Sequence, residues 1–148
     1  EEIERLKSDI DDHIDHHPKL KETYKNLMTI PGIGPVLARM MTLLLVSKDF
    51  KNAKQVSAFL GLIPRIKESG LMKGRSALSK TGSPLYRAKL YMAAISASQW
   101  NPDIKRQKEN LLANGKSKMQ ALGAAMRKLV QICYGVYKSQ KEYQPQVI

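Results

Sequence analysis

The chain has 148 residues, of which 43% are hydrophobic, as is typical of one globular domain with a buried core. Its 25 lysines and arginines outnumber its 13 aspartates and glutamates, so the net charge is +12. The single cysteine, Cys133, excludes an intramolecular disulfide framework, and the longest apolar run is too short to span a membrane. No signal-peptide pattern is present, and the expected compartment is the cytoplasm.

Residues 1–17 differ in charge from the rest of the chain. They hold seven of the acidic residues and two of the basic ones, so the remainder is strongly basic. A basic body with an acidic arm favours a polyanion partner, DNA or RNA, over an ordinary solvated surface. A three- and four-residue spacing in the arm predicts a short coiled-coil arm or hairpin. The seam positions are Ile3, Leu6, Ile10, then His13 or Ile14, then His17.

Three histidines near the end of this arm raise the question of a metal site. His13, His16 and His17 lie among aspartates at helical spacing. An acidic, solvated helix face explains the cluster, and nothing elsewhere in the chain completes a coordination sphere. We therefore predict no metal ion in this chain.

The remaining pattern predicts an all-α fold, a compact helical domain that follows the arm. Prolines in the first turn or cap residues mark most helix starts. The predicted helices span about residues 18–28, 35–46, 52–61, 84–100, 102–113 and 117–140. Residues 62–82 show no periodicity and are predicted to form a long loop, which is unusual enough to suggest function. The tail from Lys141 is expected to fray.

A glycine-containing turn is predicted at Thr29–Gly34, between the second and third helices. Gly32 and Gly34 alternate there with apolar residues, which permits a tight turn and a close approach of backbone N–H groups to an anion. The next helix would add the positive end of its dipole. The turn resembles that of helix-hairpin-helix modules, which bind DNA phosphate, and both glycines are predicted DNA contacts. The alternative is a plain interhelical turn.

The stretch of residues 69–82 combines hydroxyl groups with positive charge and contains no acidic residue. It includes Ser69, Ser76 and Ser79. Cations that could neutralise a phosphodiester lie in it and on either side, and we predict that they bind DNA: Arg65, Lys67, Lys73, Arg75, Lys80 and Arg87. Ser79 is included among these predicted contacts. Passive phosphate binding is the simpler interpretation of these residue types, and attack on phosphorus by a serine is the alternative.

Other catalytic centres find little support in the sequence. No histidine follows residue 17, so a serine hydrolase would lack an obvious base. Acidic residues beyond the arm are scattered singly, whereas a two-metal nuclease needs them clustered. The chain by itself therefore predicts no nuclease centre.

Several motifs occur along the chain in a fixed order: Ile30–Pro35, Phe59–Pro64, Ser69-Gly70, Ser79–Gly82, Arg87, Gly115-Lys116 and Arg127–Leu129. Each motif is short, but the ordered set is specific and covers most of residues 18–138. In this order they resemble the C-terminal transposase domain of the insertion-sequence-110 (116/902) family, which includes the Piv-type DNA invertases and the bridge-RNA-guided recombinases.

This resemblance implies a DNA transposase or site-specific recombinase whose serine forms a covalent link to DNA. The Ser-Gly pair maps that nucleophile to Ser69, with Ser76 and Ser79 as alternatives. The implied partners are DNA, a guide RNA and further copies of the protein in a dimer or tetramer, at the prokaryotic nucleoid. The rival hypotheses are a non-catalytic DNA- or RNA-binding module and an oligomerisation domain.

The resemblance also implies a domain organisation. Residues 1–17 would end a coiled-coil linker, residues 18–140 would form the transposase domain, and residues 141–148 would be a tail. A RuvC-like domain with an acidic magnesium site is expected to precede the linker, so no cofactor is expected in this chain. By itself the chain is expected to bind DNA without cleaving it.

Overall fold

The computed structural model describes residues 1–67, 75–78 and 82–146, with the backbone alone at 65–67 and 75–78. The predicted all-α class is confirmed, because helices build the domain and a short ribbon is the only sheet in this part of the chain. The helices are α1 (Glu2–Asp15), α2 (Pro18–Leu27), α3 (Pro35–Ser47), α4 (Ala53–Phe59), α5 (Pro84–Trp100), α6 (Pro102–Ala113) and α7 (Lys118–Ser139).

Local signals explain where most of these helices begin. A proline occupies the first turn of α2, α3, α5 and α6, where its missing N–H costs nothing. The Asn101 side chain caps α6, and Ser117 with Gln120 forms the predicted capping box of α7. Ser83 precedes α5 as predicted, but its side chain makes no capping hydrogen bond.

Helix α7 is the centre of the fold and packs against α2, α4, α5 and α6. Its predicted apolar stripe is buried at Met126, Leu129, Cys133 and Val136, whereas Leu122 is only half-buried. Helix α3 adds several fully covered side chains to the same core, as its apolar sequence predicts. The core therefore lies between α7 and the helices that surround it.

The predicted long loop over residues 62–82 is wrong in part. Strand β1 (Pro64–Lys67) and strand β2 (Arg75–Leu78) pair antiparallel as a two-stranded ribbon. Each strand has four residues, too few for an alternating pattern to stand out in the sequence. Along the chain, the ribbon lies between α4 and α5.

The expectation that the tail frays from Lys141 is also wrong. The Tyr143 backbone N–H donates to Thr29 Oγ1 at 2.9 Å, and its hydroxyl donates to the carboxylate of Asp103. The backbone N–H of Gln146 donates to the same carboxylate at 3.0 Å. These partners are 40 or more residues away, so a local pattern cannot indicate them.

Helix α1 confirms the predicted helical arm. Ile14 is buried against α2, and Asp11 forms a bidentate ion pair with Arg39 of α3. The hydrogen bonds that Arg39 donates to the Asp11 carboxylate raise the pKa of its guanidinium. Ile3 and Leu6 are 68% and 56% exposed, so association through this stripe stays a prediction. Across the described residues, no helix is both long enough and apolar enough to cross a membrane.

Candidate nucleic-acid interface

The ribbon leaves the core through a hydrogen-bonded turn at the end of α4. The backbone N–H of Leu62 donates to Ser57 O at 2.9 Å, and that of Gly61 donates to Ala58 O at 3.1 Å. This pair of bonds is the Schellman arrangement that ends many helices. Leu62 is fully buried, so the chain enters β1 from a fixed point in the core.

The chain returns from the ribbon at a position that only glycine can occupy. Gly82 has a φ of +98°, and a Cβ atom there would lie 2.2 Å from the carbonyl oxygen of Phe59. Because that oxygen belongs to the backbone of α4, no side-chain movement could relieve the overlap. Both ends of the ribbon are thus held against the last turn of the same helix.

Strand register sorts the basic residues from one of the serines. Lys67 pairs with Arg75, and Arg65 pairs with Ala77, so the three cations occupy the same face of the ladder. Ser76 pairs with Ile66 on the other set of alternating positions. The ribbon therefore places three predicted DNA contacts on one face and a candidate nucleophile on the opposite face.

A cleft of about 680 Å³ opens beside the base of the ribbon, between α5, α7 and the end of α6. Three of its lining residues are cationic, and none of the described residues that line it is acidic. The cations are Arg87, Lys116 and Arg127. Three cations gathered at one cleft raise the local positive potential, and such a site attracts an anion.

The two arginines of the cleft each form a hydrogen bond with one end of the ribbon. Arg127 Nη1 donates to Leu62 O at 3.2 Å, where the chain enters β1. Arg87 Nη1 donates to Gly82 O at 3.3 Å, where the chain returns from β2. Burial lowers the pKa of Arg127, but an arginine in a protein keeps its charge at neutral pH. The arginines of the cleft are therefore hydrogen-bonded to the backbone at both ends of the ribbon.

Lys116 is positioned by the junction between α6 and α7. Its backbone N–H donates to Leu111 O at 3.0 Å, and the capping box of Ser117 and Gln120 starts α7 immediately afterwards. Sequence reasoning assigned no binding role to Lys116 or Arg127, although both occur in the motifs quoted above. The available signal for both residues was their place in those motifs.

The glycine turn lies at the other end of α5. Gly32 has a φ of +103°, and a Cβ atom there would lie 2.6 Å from Ala97 Cβ. Asn101 Nδ2 also donates to Pro31 O at 3.2 Å, so the turn packs on the C-terminal half of α5. Ten residues separate Ala97 from Arg87, which corresponds to about 15 Å along the helix. The turn and the cleft are therefore separate surfaces.

The predicted site residues consequently divide into three groups. Arg65, Lys67, Arg75 and Arg87 belong to the ribbon and its base. Gly32 and Gly34 belong to the distant turn, where DNA contact stays a prediction. Four further predicted residues lie outside the described residues: Ser69, Lys73, Ser79 and Lys80. Within the described ranges, no group of three or more His, Cys, Asp or Glu side chains could hold a metal ion.

Comparison with known proteins gives the family. Residues 24–109, more than half of the chain, match the model of the Transposase IS116/IS110/IS902 family. The chain belongs to that family, as the resemblance of its motifs predicted.

Individual relatives agree with this assignment. The pilin gene-inverting protein of Moraxella lacunata is 29% identical over 133 residues, which cover 88% of this chain and 41% of that protein. The transposase for insertion sequence element IS1328 of Yersinia enterocolitica is 28% identical over 126 residues, covering 76% of this chain and 36% of the relative. The chain thus spans about two fifths of the length of the curated relatives it matches across most of its own length.

Proposed function

We propose that this chain supplies the DNA-binding surface and the attacking serine of a DNA strand-exchange enzyme that acts in transposition or inversion. Family membership supports the reaction class, and one relative is named for the inversion of a pilin gene. The observation that carries the proposal is the pair of arginines, Arg87 and Arg127, fixed at the two ends of the ribbon beside a cleft that also contains Lys116.

Phosphodiester attack requires cations, because the reacting phosphoryl group is itself negatively charged. The ribbon and the cleft offer such cations on neighbouring elements. In the proposed step the serine oxygen forms a bond to phosphorus, and the bond from phosphorus to one deoxyribose oxygen breaks. The serine proton ends on the departing oxygen, which leaves as a hydroxyl group. The product is a phosphoserine link to one DNA strand.

The register of the ribbon supports Ser69 over Ser76 as the nucleophile. Ser76 lies on the opposite face of the ladder from Arg65, Lys67 and Arg75. Ser69 is two residues from Lys67 along the chain, within the segment that joins the two strands. Ser79 remains the alternative. The described residues do not fit a magnesium site, and we assign no step of the reaction to a metal bound by them.

The direct test is to trap the covalent intermediate with the full-length gene product. A DNA substrate nicked so that the cleaved end diffuses away would accumulate the adduct, and mass spectrometry of the DNA-linked peptide would identify the modified serine. We expect Ser69→Ala to abolish the adduct and strand exchange while DNA affinity is retained. Ser76→Ala and Ser79→Ala serve as matched controls. An adduct on either control position would reassign the nucleophile, and a wild-type protein that never forms one would favour a non-catalytic binding module.

A second experiment tests the DNA-binding surface. Lys116→Gln removes a cation from the cleft, whereas Lys128→Gln removes one from a cavity elsewhere on α7. In a plot of the logarithm of the DNA-binding constant against the logarithm of salt concentration, the negative slope should be smaller by about one unit in Lys116→Gln. We expect no such change in Lys128→Gln. Equal slopes for the two variants would contradict the assignment of the cleft to DNA.

A further inference from the structure

The cleft contains more apolar surface than a phosphate-binding site requires. Beside its three cations it is lined by aromatic and aliphatic side chains: Tyr91, Leu111, Met119, Leu122 and Met126. Small residues also line it: Gly123 and Ala124 of α7 and Ala88 of α5. A DNA phosphate is bound by cations and backbone N–H groups on an open surface, and it gains nothing from a concave apolar wall.

A nucleobase has the chemistry that matches this wall. Bases stack on aromatic and apolar side chains with little dependence on sequence, because every base has a flat π-face. Tyr91 is 39% exposed and Met119 is 68% exposed, so both present apolar surface to a ligand. The volume of about 680 Å³ lies within the range of roughly 300–1,000 Å³ found for small-ligand sites.

The charge of the lining matches the second part of a nucleotide, its phosphate. Arg87, Lys116 and Arg127 surround the apolar wall, and no acidic residue lies among the described lining residues. A base together with its backbone phosphate is complementary to such a site, since one part of it is apolar and the other is anionic. A paired base inside a duplex could not enter, because it is covered by its neighbours in the stack.

We propose that this cleft binds an unpaired nucleotide of the DNA strand, with the base against Tyr91 and the phosphate at Arg87 and Lys116. The inference rests on the proposed function for its choice of DNA. It adds that the DNA is locally unpaired beside the ribbon. The chain thus binds a melted or flipped position of the DNA in the cleft at the base of the ribbon.

Filling the cleft without changing its charge tests the proposal. A Cβ atom at Gly123 would lie 3.6 Å from Arg127 Nη1, an ordinary van der Waals contact, so a side chain can start at this helical position without overlap. Gly123→Leu therefore occupies the cleft, and it also improves helix propensity. Gly135→Leu is the matched control, because Gly135 lies on the same helix, lines a different cavity and has nothing within 4 Å of its Cβ position. Tyr91→Ala is a second variant that removes the stacking surface and keeps every charge.

The assay measures fluorescence anisotropy of three DNAs of the same sequence: a paired duplex, a duplex with one bulged nucleotide, and a single strand. The wild-type chain should bind the bulged duplex more tightly than the paired one. Gly123→Leu and Tyr91→Ala should each lower the affinity for the bulged duplex and for the single strand about tenfold, which is the effect of losing one stacked base. Affinity for the paired duplex should stay unchanged, and Gly135→Leu should match the wild type on all three DNAs.

Several results would overturn the inference. One is a wild-type chain with equal affinity for bulged and paired duplexes, and another is a Gly123→Leu variant that weakens all three DNAs equally. Tighter binding of the corresponding RNA strand than of the DNA strand would reject the choice of ligand. In each case a surviving Ser69 adduct would show that the proposed function stands without this inference. Failure to bind any of the DNAs would instead contradict the proposed function.

Discussion

Substitution of Gly32 by alanine should destabilise the fold strongly, for two independent reasons. At a φ of +103° an L-residue is strained, and such strain costs about 1–3 kcal/mol. The new methyl group would also lie 2.6 Å from Ala97 Cβ, 3.0 Å from Ala97 Cα and 3.1 Å from Ala93 O. Overpacking of this kind typically costs a further 1–3 kcal/mol. We therefore expect Gly32→Ala to lower the free energy of unfolding by about 2–6 kcal/mol.

The matched control is the same substitution two residues later. Gly34 has a φ of −96°, and no atom lies within 4 Å of its Cβ position. Its only expected cost is that of a poorer N-cap for α3, about 1 kcal/mol or less. Urea denaturation followed by far-UV circular dichroism gives both free energies. If Gly32→Ala costs no more than Gly34→Ala, the turn does not pack against α5 as described, and the reasoning fails.

Two further predictions concern single buried groups. Thr42 is fully buried and its hydroxyl has no hydrogen-bond partner among the described residues, so Thr42→Val should raise the free energy of unfolding by about 1 kcal/mol; a loss of stability in urea denaturation would contradict this. Burial raises the pKa of the Cys133 thiol from 9.0 to about 12. The buried neutral thiol therefore contributes fully to the free energy of unfolding below pH 9, and this contribution is lost as the pH rises toward 12. In this window the free energy of unfolding of the wild type should fall by about 1.4 kcal/mol per pH unit more than that of Cys133→Ala. Parallel pH profiles of the two proteins would contradict the raised pKa of the thiol.

Local residue patterns were enough to predict most of the helices. Each of the signals that start a helix acts over no more than about four residues, so it can be recognised from the sequence. These signals are the prolines in the first turn, the Asn101 cap and the capping box of Ser117 with Gln120. The ordered motifs also predicted the family correctly. The strongly basic stretch was visible as composition, which is why Arg65, Lys67 and Arg75 were assigned to DNA before their register was known.

Other features depend on pairs of residues that are far apart along the chain. The ribbon requires Pro64 to pair with Leu78, and the docked tail requires Asp103 to accept a hydrogen bond from the Tyr143 hydroxyl. The fit of Gly82 against Phe59 is likewise a contact between separate elements. Local periodicity carries no information about such partners, which is why the loop prediction was wrong at the two strands and the prediction of a frayed tail was wrong.

The candidate site shows the same division. The sequence by itself determined which segment is rich in cations and hydroxyl groups, because charge and chemistry belong to the residues. Only the tertiary structure decided that Arg87, Lys116 and Arg127 share one cleft and that the Gly32 turn lies about 15 Å away along α5. The physical reason is that the packing of α5 and α6 on α7 brings together residues up to 40 positions apart.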